Sequence, residues 1–116
     1  MVYKVLVDKE LTCRLRCYIK LYGLKCNPFV YHTNIERLFI KHGDEAVMVY
    51  CIFVEAYVNA KMYFYMERKD LERALMEKGY KIPSKIIEVG LKTKVLTKIK
   101  KDGEVYIGLN PNLSPW

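Results

Sequence analysis

The chain contains no glutamine, and its only serines are Ser84 and Ser114. Thermolabile amides are therefore scarce while lysine and glutamate are plentiful, a balance found in proteins of hyperthermophilic archaea and their viruses; five methionines and four cysteines lean the other way. Long apolar runs are missing too. The longest, residues 46–54, extends to Val58 only if Glu55 is counted, short of the ~20 residues that cross a bilayer, so no membrane partner is expected. The N-terminal Met1-Val2-Tyr3-Lys4-Val5-Leu6-Val7 runs directly into Asp8 and Glu10, without the long apolar stretch and small-residue cleavage site of a signal peptide. A cytoplasmic location is expected.

Catalytic constellations are absent as well. There is no Ser, His and Asp set, no phosphate-cradling glycine loop and no clustered carboxylate pair; Glu36, Asp44, Glu45 and Glu55 are scattered and read as caps and solvated faces. A tyrosine nuclease built on a metal-holding histidine pair needs two histidines flanking one apolar residue, and His32 and His42 lie ten apart. Cys13, Cys17, Cys26, Cys51 and His32 match no common zinc spacing, because Cys13 and Cys17 stand one helical turn apart on a predicted helix. The expectation is a non-enzymatic protein without metal or cofactor, its thiols buried and its ten tyrosines used in core and interface.

What is present is a chain of 116 residues, 52% apolar, long enough to bury a core without staples, as one domain or a domain with a helical arm. Its formal charge of +7 makes a polyanion the first partner to consider, and nucleic acid heads that list. No repeat or low-complexity tract is present.

Local signals place the elements. Residues 2–7 form a strand candidate. Asp8 is a helix cap ahead of Leu11, Leu15, Tyr18 and Tyr22 at helical spacing, with Gly23 as the stop. Beyond the break at Asn27-Pro28, Thr33-Asn34-Ile35-Glu36 is a capping box for a short helix with Ile35, Leu38 and Phe39 on one face, ending at Gly43. Residues 44–61 carry strand-forming Val, Tyr, Phe and Ile behind a helix-starting Asp44-Glu45; we read a largely buried helix, with a strand as the alternative. Residues 62–66 read as a short aromatic strand, and residues 68–78 as a helix with Leu71, Ala74 and Leu75 inward and Gly79 closing it. Val95, Thr97 and Ile99 alternate with lysines up to Asp102-Gly103, and Val105, Ile107 and Leu109 alternate beyond it, which predicts a β-hairpin.

Between that helix and the hairpin, residues 79–92 read as a turn and a second helix. It buries Ile86, Ile87 and Leu91 and projects Ser84, Lys85, Glu88 and Lys92 as a polar stripe of the kind that enters a major groove. The order helix, short strand, helix, turn, helix, hairpin over residues 45–109, about 65 of the 116, resembles a winged helix-turn-helix DNA-binding domain. Residues 70–82 resemble its scaffold helix and turn, and Asp102-Gly103-Glu104-Val105-Tyr106-Ile107 resembles the wing and its return strand.

Lys81, Lys85, Lys92, Lys94, Lys98, Lys100 and Lys101 fall within 21 residues opposed only by Glu88, so this stretch holds six of the seven net charges. The expected nucleic-acid-binding set is these seven lysines with Ser84 and Glu88: Lys81, Lys98, Lys100 and Lys101 on phosphates, Lys85, Glu88 and Lys92 toward base edges. The expected fold is α+β, with residues 1–43 a helical extension and dimerisation arm, residues 44–110 the winged-helix domain and residues 111–116 a tail. The expected function is that of a sequence-specific regulator of transcription, homodimeric, on double-stranded DNA.

One departure from the family pattern keeps another reading open. The second helix is short and contains Gly90, and residues 88–100 also alternate at period two. Were they strand, a ferredoxin-like βαββαβ fold with residues 46–58 as a strand would follow. That protein, a viral factor in this alternative, would bind RNA or a host protein instead, and Tyr63, Phe64 and Tyr65 would be its stacking platform.

Overall fold

A computed structural model describes residues 3–23 and 33–113. The Asp8 carboxylate accepts the Leu11 backbone N–H at 3.0 Å and starts helix α1 (Lys9–Tyr22), which Gly23 ends in the left-handed conformation. The break at Asn27-Pro28, Cys26 and His32 lie outside the described residues, as do the side chains of Tyr22, Thr33, Asn34 and Ile35 on which part of the first helical face and the capping box rest. Helix α2 (Thr33–His42) buries Leu38 and packs on α3 (Asp44–Ala60).

α3 is the axis of the core. It buries Ala46, Val47, Val49, Tyr50, Phe53, Val54, Tyr57 and Val58. Apolar side chains around most of a helix require cover on most sides, and α2, the later helix α5 and the sheet provide it. The chain continues through strand β2 (Phe64–Met66), α4 (Arg68–Glu77), α5 (Pro83–Lys92), β3 (Leu96–Lys101), β4 (Glu104–Leu109) and a 3-10 turn at Pro111–Leu113. With β1 (Val5–Val7) the strands make one antiparallel sheet in the order β1-β2-β4-β3. The fold is α+β, with five α-helices against a four-stranded sheet among the described residues. β1, Leu15 and Leu38 belong to the same sheet and core as residues 44–110.

The ferredoxin-like arrangement is not formed, since residues 44–60 and 83–92 are helical. The period-two pattern of residues 88–100 arises from a helix end and a strand start placed in series. Lys94 breaks them apart at φ 64°, so Leu96, and not Val95, begins the strand. Gly90 is explained by proximity: a Cβ there would lie 2.5 Å from Leu96 Cδ1 and 3.2 Å from Val49 Cγ1. Glycine lets α5 lie against the first residue of β3.

Tyrosine hydroxyls close the sheet where strands part. The Met66↔Ile107 register sets Phe64 opposite Leu109 two residues further on. The Tyr57 hydroxyl stands between them, donating to the Phe64 carbonyl at 2.6 Å and accepting the Leu109 N–H at 2.7 Å. The Tyr63 hydroxyl donates to the Leu109 carbonyl at 2.6 Å, and the Thr12 hydroxyl accepts the Tyr63 N–H at 2.9 Å, tying α1 to β2.

Candidate nucleic-acid interface

α4 and α5 are placed by what they bury. Leu71 and Leu75 seat α4 in the core; Gly79, at φ 98°, lets the Tyr80 N–H reach back to the Leu75 carbonyl at 3.1 Å and turns the chain sharply. Pro83 opens α5 in a first turn where its missing N–H costs nothing. Ile87, fully buried, and Gly90 face the core, while Ile86 and Leu91 are half-buried. Ser84, Lys85, Glu88 and Lys92 are exposed, and so is Lys81 in the turn before α5.

The hairpin follows from its turn. Asp102 and Gly103 both have positive φ, 54° and 80°, as a two-residue turn requires, and Lys101 pairs with Glu104 across it. Leu96 packs toward α5 at Gly90, so period-two alternation sends Lys98 and Lys100 out on that same face of β3. Lys101 projects from the opposite face at the tip. The three hairpin lysines are thus divided, and of them only Lys98 and Lys100 share the side of the sheet on which α5 lies. Among the described residues none of the seven clustered lysines has an ion-pair partner.

Other charges are already engaged. Glu88 Oε1 lies 3.4 Å from Arg68 Nη2, and the same guanidinium reaches Glu72 Oε1 through Nε at 3.2 Å. Arg68, on α4, is a residue that sequence reasoning missed; its only local trace is the i, i+4 spacing to Glu72. Lys4 Nζ pairs with Glu104 and with Glu67 Oε1, and the Lys4 N–H donates to Asp70 Oδ2 at 3.1 Å. The Lys4 ammonium holds the Glu104 carboxyl below its usual range, so the acid at the wing tip is compensated from the N-terminal segment.

The set divides again at its far end. Lys92 and Lys94 line a cleft with Arg37 and Lys41 of α2, away from the tip of the hairpin. Lys81 and Lys85 instead border a shallow groove with Glu45 and Met48 of α3.

Two expectations about side-chain chemistry are corrected or narrowed. Cys13 and Cys17 are exposed rather than buried, because the helix turns its opposite side, with Thr12 and Leu15, inward; Cys51 is half-buried, and burial raises its thiol pKa. Tyr63 and Tyr65 are buried, Tyr63 against Tyr57 and Tyr65 against Tyr63, and cannot present a stacking platform. Among the described residues no three His, Cys, Asp or Glu side chains gather as a metal site would require, and no helix is long and apolar enough to cross a membrane. Comparison of the chain with protein-family models, with curated proteins and with solved structures finds no match.

Proposed function

We propose that the chain is a DNA-binding regulator of the winged helix-turn-helix kind, with α3, β2, α4, α5 and the β3–β4 hairpin as the domain and α5 as the recognition helix. One observation carries this reading: α5 presents Ser84, Lys85, Glu88 and Lys92 on its exposed side, and the strand packed against it sends unpaired Lys98 and Lys100 out on the same side. The sheet order β2-β4-β3 beside α4 and α5 is compatible with this reading. Lysines on the strand contact phosphates and supply salt-dependent affinity; Ser84, Lys85 and Glu88 of α5 read base edges, while Lys92 at its end lines the cleft beside α2.

The Arg68 contact refines the role of Glu88. It holds the carboxylate in place, ready to accept from a cytosine amino group, and keeps it from repelling phosphate. Self-association belongs to the proposal as well, because Phe39, Ile40 and Met48 expose 56%, 77% and 56% of their surface on neighbouring helices α2 and α3.

Fluorescence anisotropy on labelled duplexes across a salt series tests the reading. Lys98→Ala with Lys100→Ala should lower affinity for all duplexes alike and make log K against log salt shallower by about 2 units, ~0.9 per phosphate contact. Lys85→Ala should cost ~1–3 kcal/mol on the preferred sequence and much less on random DNA. An unchanged salt slope in the double variant would remove the wing, and equal losses on both DNAs for Lys85→Ala would remove the recognition helix.

A further inference from the structure

The cleft between the end of α2, the end of α5 and the Pro111–Leu113 turn has a volume of about 530 Å³, the size of a small-ligand site. Arg37, Lys41, Lys92 and Lys94 line it, with His42 and Asn112 beside them, and among the described residues no acidic side chain does. Among the described residues none of the four permanent cations has an ion-pair partner. They come from two segments far apart in the chain, residues 37–41 and 92–94, so no local sequence pattern announces them together.

Helix ends account for part of this charge and leave the rest. The C-termini of α2 and α5 each present roughly half a negative charge, and Lys41 and Lys92 in the last turns offset them. Arg37, one turn back from Lys41 on the same helix face, and Lys94, beyond the end of α5, are in excess.

Lys94 adds a second, independent observation. It holds φ 64°, a backbone conformation that glycine and asparagine favour and lysine rarely adopts. The Asn110 side chain pins it there, donating from Nδ2 to the Lys94 carbonyl at 2.8 Å, while its Oδ1 accepts the Asn112 N–H at 3.0 Å. The Asn110 N–H donates to the Val95 carbonyl at 2.8 Å. One asparagine thus fixes both the strained lysine and the turn that forms the opposite wall. A charged side chain is kept where backbone geometry alone would select a neutral residue.

We propose that this cleft binds phosphate, with the Arg37 guanidinium as a two-pronged donor and Lys41, Lys92 and Lys94 as point charges around the oxyanion. The cleft lies at the base of the hairpin, about 20 Å of strand from the turn at Asp102-Gly103. It is therefore a separate site from the wing tip, and the proposal stands whether or not α5 reads DNA. The phosphate belongs either to a free phosphorylated ligand or to a nucleic-acid backbone running past the hairpin base.

Amide chemical shifts followed during titration with inorganic pyrophosphate, against chloride at equal ionic strength, test the site directly. Saturable shifts confined to residues 37–42, 92–95 and 110–113 are expected. The variant carrying Arg37→Ala and Lys94→Asn should bind pyrophosphate at least tenfold more weakly with an unchanged melting temperature, because asparagine retains the left-handed backbone. A duplex salt series on the same variant separates the sources: a slope reduced by about 2 units assigns the site to backbone phosphate, and an unchanged slope with pyrophosphate binding lost assigns it to a free ligand. Non-saturable shifts spread equally over Lys98 and Lys100, or a variant that binds pyrophosphate as the parent does, would overturn the proposal. Failure of the DNA-binding reading would show separately, in the Lys98→Ala, Lys100→Ala protein.

Discussion

Replacing Tyr57 by phenylalanine tests how the sheet is closed. The side chain is fully buried, and its hydroxyl is the link between the Phe64 carbonyl and the Leu109 N–H, two groups that the register sets face to face but does not join directly. Phenylalanine keeps the ring and its contacts with Tyr63 and Phe64, at centroid distances of 4.9 and 4.6 Å, so little apolar packing is lost. Two hydrogen bonds disappear, each worth ~1 kcal/mol net, and a buried N–H left without a partner costs a further ~1–3 kcal/mol. The expected loss is about 3–5 kcal/mol, a large fraction of the ~5–15 kcal/mol that stabilises an ordinary domain. Urea unfolding followed by circular dichroism should show the midpoint falling by ~1–2 M with the slope unchanged. Tyr106→Phe is the control, since its hydroxyl donates only to Glu104 at the wing, and its midpoint should hardly move. A loss below ~0.5 kcal/mol for Tyr57→Phe would show that β2 and β4 close on each other and pair Phe64 with Leu109 directly, refuting the bridging role.

Further outcomes follow from the same structure. Gly90→Ala gains ~1 kcal/mol of helix propensity but drives a methyl into Leu96, which overpacking data place at ~1–3 kcal/mol, so a net loss of stability and weaker DNA binding are expected; a raised melting temperature would contradict the close approach. Burial keeps Tyr50, Tyr57 and Tyr63 protonated in the folded state above the unfolded tyrosine pKa near 10, so stability should be flat below that pH and decline as pH rises past it, at up to ~1.4 kcal/mol per unit for each group. Urea midpoints at pH 8, 10 and 11 check the sign, and an unchanged midpoint at pH 11 would contradict it. Glu88→Gln should raise affinity for random duplex, by releasing the Arg68 guanidinium toward phosphate, while narrowing the difference between preferred and random sequence; anisotropy on both DNAs measures this. Sedimentation at micromolar concentration should show a dimer that Phe39→Glu converts to monomer, and a monomeric parent protein would remove the self-association.

Elements defined by their own residues were legible in the chain. Asp8 and Gly23 bracket α1 because a carboxylate satisfies free N–H groups at a helix start and glycine tolerates the left-handed stop. Leu71 and Leu75 with Gly79 define α4, and Asp102-Gly103 defines the hairpin, since few residue pairs accept positive φ twice in succession. The density of lysine between residues 81 and 101 needed no structure either. Tertiary contacts decided the rest. A segment buried on nearly every side, such as α3, has little amphipathic period to read, and only its surroundings choose helix over strand. Gly90 looked like a helix weakness until Leu96 was found against it, and nothing near Lys94 in the chain announces its positive φ, which depends on Asn110 sixteen residues on. Whether the lysines form one surface or two was likewise a tertiary matter: strand alternation and the position of α2 send Lys98 and Lys100 to the side of α5, and Lys92 and Lys94 toward Arg37 and Lys41. Local sequence sets backbone preference within a few residues, whereas facing, register and charge convergence are properties of segments far apart in the chain that meet only when the core closes.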